Sequence, residues 1–330
     1  MANLQISIGC GDYDRTRAIH DGRVAVEGCN AVSVPLGPEE VFFRSFRHSA
    51  FDVAELSFSS FLIATSRGTC PYVGVPAFVS RAFRHGGIYV RRDGPVRRPE
   101  DLRGKRVGVP EYQVTAAVWV RALLEDDHGV APSEMHWLTG GIEEPGRHEK
   151  MALDLPPAIR VEPIPQNRAL GEMLLAGEID ALVTPRPPLC YGQGLGEIVR
   201  LFPDTGQAAA DYFGRTRIFP IMHLVGVRRT LVEQHPWLPA SVFKAFSKAR
   251  DMAMASFDND AALAVSLPFL LEEAAHTRQV MGKDFWPYGV AGNETTIEAL
   301  LDHHHRQGLS PRRLTLDEVF HPSTLEQVKV

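Results

Sequence analysis

The sequence predicts an α/β protein of two lobes with a helical C-terminal tail. Short strand-like runs alternate with amphipathic helical stretches over the first two thirds of the chain, the pattern of βα units around open sheets. Two segments, 91–100 and 219–227, read as a crossing from one lobe to the other and a crossing back. From residue 238 onward the periodicity is largely helical. The lobes expected from these boundaries are 1–90 with 222–330, and 91–221, with the active site in the cleft between them.

In the first lobe, residues 4–8 alternate as a strand. Gly9-Cys10-Gly11 ends it where open α/β sheets bind ligands, and Asp12 to Arg15 follow. Residues 16–21 read as a short helix, 22–34 as a strand around a turn at Gly28, and 38–48 as a helix with Val41, Phe42 and Phe46 on one face. Residues 51–54 form a short buried strand that delivers Glu55 at its end. Ser57 and Ser60 precede a helix from about Phe61, where hydroxyls cap the helix or meet an anion. A carboxylate placed like Glu55 is either an ion-pair partner or a catalytic group.

The basic turn in 78–90, FVSRAFRHGGIYV, holds Arg81, Arg84, His85 and Gly86-Gly87 between two apolar runs. Arginine suits carboxylates because its planar fork binds both oxygens. Histidine exchanges protons near neutral pH. The plainer reading is a solvated basic turn. The second lobe opens with a strand at 106–109 and a helix entered through Glu111, Gln113 and Thr115 and running to about residue 127. Strands at 135–138 and 159–161, a helix at 168–176 stopped by Gly177, and a strand at 181–183 complete it. Prolines flanking Arg186 fix the origin of that side chain. The crossing back carries His223. The tail reads as helices at 238–255, 258–271 (kinked at Pro268) and 293–307. His303-His304-His305 diverge by about 100° per residue on a helix, so they do not converge on one ion and read as surface.

Composition narrows the function. The chain has 330 residues, 44% hydrophobic and 23% charged, as in a soluble globular protein. A net charge of −5 and a pI near 6.2 give no basic footprint for nucleic acid or an anionic membrane. No apolar run approaches the ~20 residues of a membrane span. The N-terminus, MANLQISIGCGDYD, has no secretory pattern, so a cytoplasmic location is expected. Cys10, Cys29, Cys70 and Cys190 are scattered, without the pairing of a zinc or disulfide framework. No phosphate-binding glycine motif for a nucleotide occurs.

The order of units and crossings resembles a type 2 periplasmic-binding-protein-like fold. The segments GDYDRTRAIHDG, FDVAELSFSSF, FVSRAFRHGGIYV, EDLRGKRVGVPEYQVTAAVWVR, GGIEEPGRHEK, GEIDALVTPRPP, FPIMHLVGVRR, GKDFWPYGVAGN and HHHRQGLSPRRLTLDEVF, spanning almost the whole chain, resemble the 4,5-dihydroxyphthalate decarboxylase family. That resemblance implies non-oxidative conversion of 4,5-dihydroxyphthalate to protocatechuate and CO₂ in phthalate breakdown. Such a reaction needs a proton on the ring carbon that bears the carboxylate, a base near the para hydroxyl, and cations for a dicarboxylate.

His85 is the first choice for the ring proton donor and His223 the second. Glu55 or Glu144 receives the phenolic proton. Arg81, Arg84 and Arg186 clamp the carboxylates, and Arg15, Ser57, Ser60, Gln113 and Thr115 are further contacts. No cofactor is expected; a divalent metal held by His85, His223 and a carboxylate is the variant. The expected partner is a small aromatic dicarboxylate, with a homo-oligomer left open. The rival readings are a solute-binding protein for an aromatic or dicarboxylate anion and, last, a cytosolic regulator.

Overall fold

The structure is a computed structural model that describes residues 3–192 and 196–325. Residues 1–2, 193–195 and 326–330, which the expected lobes include, lie outside the described residues. The strands in chain order are β1 (Leu4–Cys10), β2 (Cys29–Pro35), β3 (Val53–Ser57), β4 (Tyr72–Arg81), β5 (Ile88–Arg91), β6 (Arg106–Val109), β7 (His136–Thr139), β8 (Arg160–Pro163), β9 (Ala181–Val183), β10 (Ile198–Arg200) and β11 (Ile221–Arg228). They form a five-stranded sheet ordered β2-β1-β3-β11-β4 and a six-stranded sheet ordered β10-β5-β9-β6-β7-β8.

The chain divides into two compact units. One comprises the chain up to Arg81, Ile221–Ile297 and the chain from Leu314; the other comprises Ala82–Pro220 and Glu298–Arg313. The first change of unit therefore falls at residue 81/82, earlier than the boundary expected at 90/91. Backbone pairing is the reason: Ile88 lies opposite Val183 and Arg91 opposite Ile198, so β5 belongs to the second sheet. Residues 298–313, expected in the first lobe, also join the second unit. Their anchor is Gln307, whose Oε1 accepts from the buried Arg121 Nε at 2.7 Å and whose Nε2 donates to Val118 O at 3.1 Å.

In the first unit β1 runs parallel to β2 and β3, while β11 lies antiparallel between β3 and β4. Strands covered on both faces read as continuous apolar runs, as Tyr72–Arg81 does, with eight of its ten residues buried. Phe58, Phe78 and Phe320 meet at centroid distances of 6.1–6.4 Å and tie β4 to the C-terminal stretch. Removing a ring from such a core costs about 3–5 kcal/mol. Gly74 lets that stretch approach, since a Cβ there would run into the Val319 carbonyl.

Two tail expectations change. Residues 258–271 are not one kinked helix; the helix is Leu270–Met281. Pro268 lacks an amide donor and disfavours helical geometry at Leu267 before it, so the helix starts beyond it. The helix Glu294–Arg306 forms as expected, but His303 and His304 are buried rather than on the surface. His303 Nε2 meets Asp126 Oδ2 at 2.6 Å, and His304 Nδ1 pairs with the Ser310 hydroxyl. Among the described residues no helix is long and apolar enough to cross a membrane.

Candidate active site

Glu55 lies in the middle of β3, not at its end. The strand continues to Ser57 because β11 pairs along its whole length, with Val225 opposite Glu55 and His223 opposite Ser57. The carboxyl is fully buried, and a carboxylate out of water needs donors. Gly11 N donates to Oε2 at 2.8 Å, the Tyr13 hydroxyl to Oε1 at 2.9 Å, and His223 Nδ1 lies 2.6 Å from Oε1. Cys10 Sγ stands 3.5 Å from Oε2. Burial by itself would raise the Glu55 pKa, but the hydrogen bond and charge of His223, with the Gly11 amide and the Tyr13 hydroxyl, bring it below the ordinary value.

The carboxylate accepts only, so Nδ1 of His223 carries a proton and Nε2 is the nitrogen left for chemistry. The His223 side chain is 19% exposed against 0% for Glu55, so the imidazole rather than the carboxylate reaches solvent. Phe42 packs edge-on against that ring at 4.8 Å. Burial, and then the Glu55 charge, hold the Tyr13 phenol protonated far above its usual range, and the Cys10 thiol is raised for the same reasons. Arg15 stacks between Tyr13 and Trp286, 4.4 Å from each ring centroid, with Nε donating to Val79 O at 2.6 Å. Ser57 and Ser60 are buried and their hydroxyls lie 3.4 Å apart.

The structure brings Glu55 and His223 together, and adds Tyr13, Gly11 and Cys10, which sequence reasoning did not select. The one sequence signal for the added residues was the glycine-containing loop after β1. Gly11 is required there: a Cβ would sit 2.5 Å from the Tyr13 ring.

Arg81 ends β4, buried, with Nη1 donating to Asn293 Oδ1 at 2.8 Å and Pro287 O at 3.2 Å. Burial lowers its pKa to about 9, which leaves it charged at neutral pH. His85 belongs to the second unit. It is buried between the edges of Phe202 and Tyr212, at 5.2 and 5.4 Å, and its Nδ1 has no hydrogen-bond partner. Burial brings its pKa down to about 4, only partly opposed by the Asp127 charge. It is therefore neutral at pH 7, which suits a proton donor poorly.

A histidine lowered in this way makes the unfolded chain the better proton binder between pH 6.5 and about 4. Stability from this group is thus full above pH 6.5 and falls as the pH drops towards 4. His85→Phe is expected to flatten that part of the stability profile, read by urea unfolding at several pH values, while turnover stays within about tenfold of the parent.

In the second unit, Arg84 Nη1 reaches Pro185 O at 3.5 Å. Arg186 is exposed, and its backbone amide donates to Thr184 Oγ1 at 3.3 Å. Gln113 and Thr115 are buried at the entry of the helix Thr115–His128, with Gln113 Nε2 donating to Glu111 Oε2 at 3.2 Å. Glu144 is exposed in a loop. The buried Glu111 is neutralised by Arg147 at 2.7 Å. Its neighbour Glu149 is pushed up to about 7, by burial first and then by the Glu111 charge.

Among the described residues one cluster of potential metal ligands occurs, Glu125, Asp126 and His303. Arg306 lies 3.0 Å from His303 Nδ1 and 3.3 Å from Asp126 Oδ1, so a guanidinium already occupies the place of a cation.

Fold and site define a class: a two-unit α/β scaffold that carries a buried carboxylate–imidazole pair in its five-stranded sheet. Comparison with known proteins gives the particular family. The chain is 46% identical over 330 residues to 4,5-dihydroxyphthalate decarboxylase of Comamonas testosteroni, covering the whole of both chains. It is 47% identical over 213 residues to 4,5-dihydroxyphthalate decarboxylase of Pseudomonas putida, covering 64% of this chain and 83% of that one. The chain belongs to the 4,5-dihydroxyphthalate decarboxylase family. No family model matches it. Among solved structures, protein AF1704 of Archaeoglobus fulgidus aligns with a TM-score of 0.51 at 14% identity, covering 92% of this chain and 98% of that one. The periplasmic aliphatic sulphonate binding protein SsuA of Escherichia coli aligns at 0.49 and 14%, covering 97% and 92%.

Proposed function

We propose that this chain is a carboxy-lyase that converts 4,5-dihydroxyphthalate to protocatechuate and CO₂, with His223 as the ring proton donor. Full-length similarity to a decarboxylase of that name supports the substrate. The observation that carries the mechanism is the 2.6 Å contact between His223 Nδ1 and the buried Glu55. As the para hydroxyl gives up its proton, the ring pushes electrons to the carbon that bears the carboxylate. Protonated His223 delivers its Nε2 proton to that carbon. The C–CO₂ bond breaks, its electron pair returns to the ring, and aromaticity is restored. Glu55 acts through His223, fixing which nitrogen faces the substrate, and Tyr13 and the Gly11 amide fix Glu55. General acid catalysis of this kind supplies about 10²–10⁴-fold. Arg15, Arg81, Arg84 and Arg186 are proposed cations for the carboxylates, and Ser57, Ser60, Gln113 and Thr115 proposed polar contacts. Glu144 is a proposed acceptor of the phenolic proton.

The route needs no electron-sink cofactor, because the substrate's own hydroxyl stabilises the protonated ring. The test is CO₂ release with ultraviolet detection of protocatechuate from purified protein given 4,5-dihydroxyphthalate, before and after exhaustive chelation. Turnover unchanged by chelation is the expected result. Loss of turnover restored by one divalent metal would replace the metal-free route. Saturable binding of phthalate without any CO₂ would make the protein a solute binder instead.

A further inference from the structure

We propose that a groove in the second unit, lined by Arg91, Arg92, Arg97 and Arg200, binds a small organic di- or triphosphate. The groove has a volume of about 670 Å³, and no carboxylate is among its lining residues. None of the four guanidiniums forms an ion pair among the described residues. Glu100, the nearest acid in sequence to Arg97, lies against Arg98 and His128 instead, and Asp101 accepts from the amides of Arg97 and Arg98 and from the Arg98 side chain. Arg92 Nε donates to Gly196 O at 2.7 Å. Arg200 rests 5.3 Å from the Tyr191 ring centroid and beside the Tyr89 hydroxyl. Arg91 is held against Gly177, where a Cβ would lie 2.7 Å from its guanidinium carbon.

The Nε groups of Arg91 and Arg200 are buried without a hydrogen-bond partner. Unmet buried donors on charged groups are costly, and four cations gathered without an anion repel one another. A ligand of about three negative charges, as in a diphosphate, offsets both costs through bidentate Arg–phosphate bonds. The rest of the lining is apolar or aromatic, with Val90, Val96, Tyr191, Ile198 and Leu201, and suits an attached organic group. The groove is also misplaced for the ligand position usual in open α/β sheets. Such ligands bind at the carboxyl ends of the parallel strands. In the antiparallel pairing Val90 lies opposite Ala181, the first residue of β9, so Arg91 and Arg92 extend past the amino end of β9.

Calorimetric titration of the full chain with ADP and with inorganic pyrophosphate tests this, using the parent, Arg92→Gln/Arg97→Gln and Arg200→Gln. The first variant alters exposed side chains only, so its fold is secure. Saturable ADP binding, weakened at least about tenfold in each variant and by added salt, is expected. Pyrophosphate binding as tight as ADP would make the phosphate chain the whole ligand; weaker binding would assign the remainder to the organic group. Both results support the site. No saturable binding of either probe below millimolar concentration, or ADP binding equal in parent and variants, would overturn it.

Discussion

His223→Asn is expected to lower turnover of 4,5-dihydroxyphthalate by at least about 10³-fold while protocatechuate still binds. The imidazole is partly open to solvent, whereas the Glu55 carboxylate behind it is fully buried. Asparagine keeps an amide donor for Glu55, so the buried carboxylate is not stranded; the expected stability loss is about 1–3 kcal/mol, not global unfolding. The measurement is single-turnover CO₂ release alongside product affinity. A fall in kcat with affinity retained marks a group that acts in the transition state. Near-parental kcat in this variant, with a large loss in His85→Phe, would move the proton donor to the second unit.

Much of the fold was legible because its signals are local. Residues 38–48, 106–109 and 181–183 coincide with observed elements, each an amphipathic or apolar run bounded by proline, glycine or charge. The crossing at 81/82 was not legible, because β5 is assigned by its partners, and those partners lie about 90–110 residues downstream. The two members of the carboxylate–imidazole pair were each legible as candidates: Glu55 and His223 are unusual residues in apolar strands. Their contact was not, since it depends on the register of two antiparallel strands 168 residues apart in sequence. His85 drew attention through its arginine neighbours, but sequence proximity does not report burial. Its ring packs on Phe202 and Tyr212, more than 100 positions away. Tyr13 was hidden for a related reason. A tyrosine after a glycine loop is ordinary until a carboxylate from β3 meets its hydroxyl.

Glu55→Gln is expected to cost about 10³–10⁴ in turnover although glutamine has nearly the same shape. Oε2 accepts from the Gly11 amide, and Oε1 from Tyr13 and His223. An amide has one acceptor end. If its oxygen faces Gly11, its NH₂ faces His223 Nδ1, which must then accept, and the imidazole turns to the tautomer with its one proton on Nε2. If the oxygen faces His223, two N–H groups collide at Gly11 in a buried place, at about 1–3 kcal/mol. Neither arrangement keeps a charge-assisted bond behind the proton donor, and a wrong tautomer alone is worth about 10⁴-fold where a carboxylate orients a catalytic histidine. The same variant separates catalysis from structure. The Glu55 pKa is lowered below its ordinary 4.5 in the folded chain. Its contribution to stability is therefore present above that pH and is lost as the pH falls through the folded value. Glu55→Gln should remove this share of the acid-induced loss of stability, read by urea unfolding below pH 5. Turnover in Glu55→Asp should recover part of the loss, since aspartate restores the charge but sets it one methylene back from His223. Equal turnover in the glutamine and parent proteins would reduce Glu55 to a buried structural anion and leave His223 without its orienting partner.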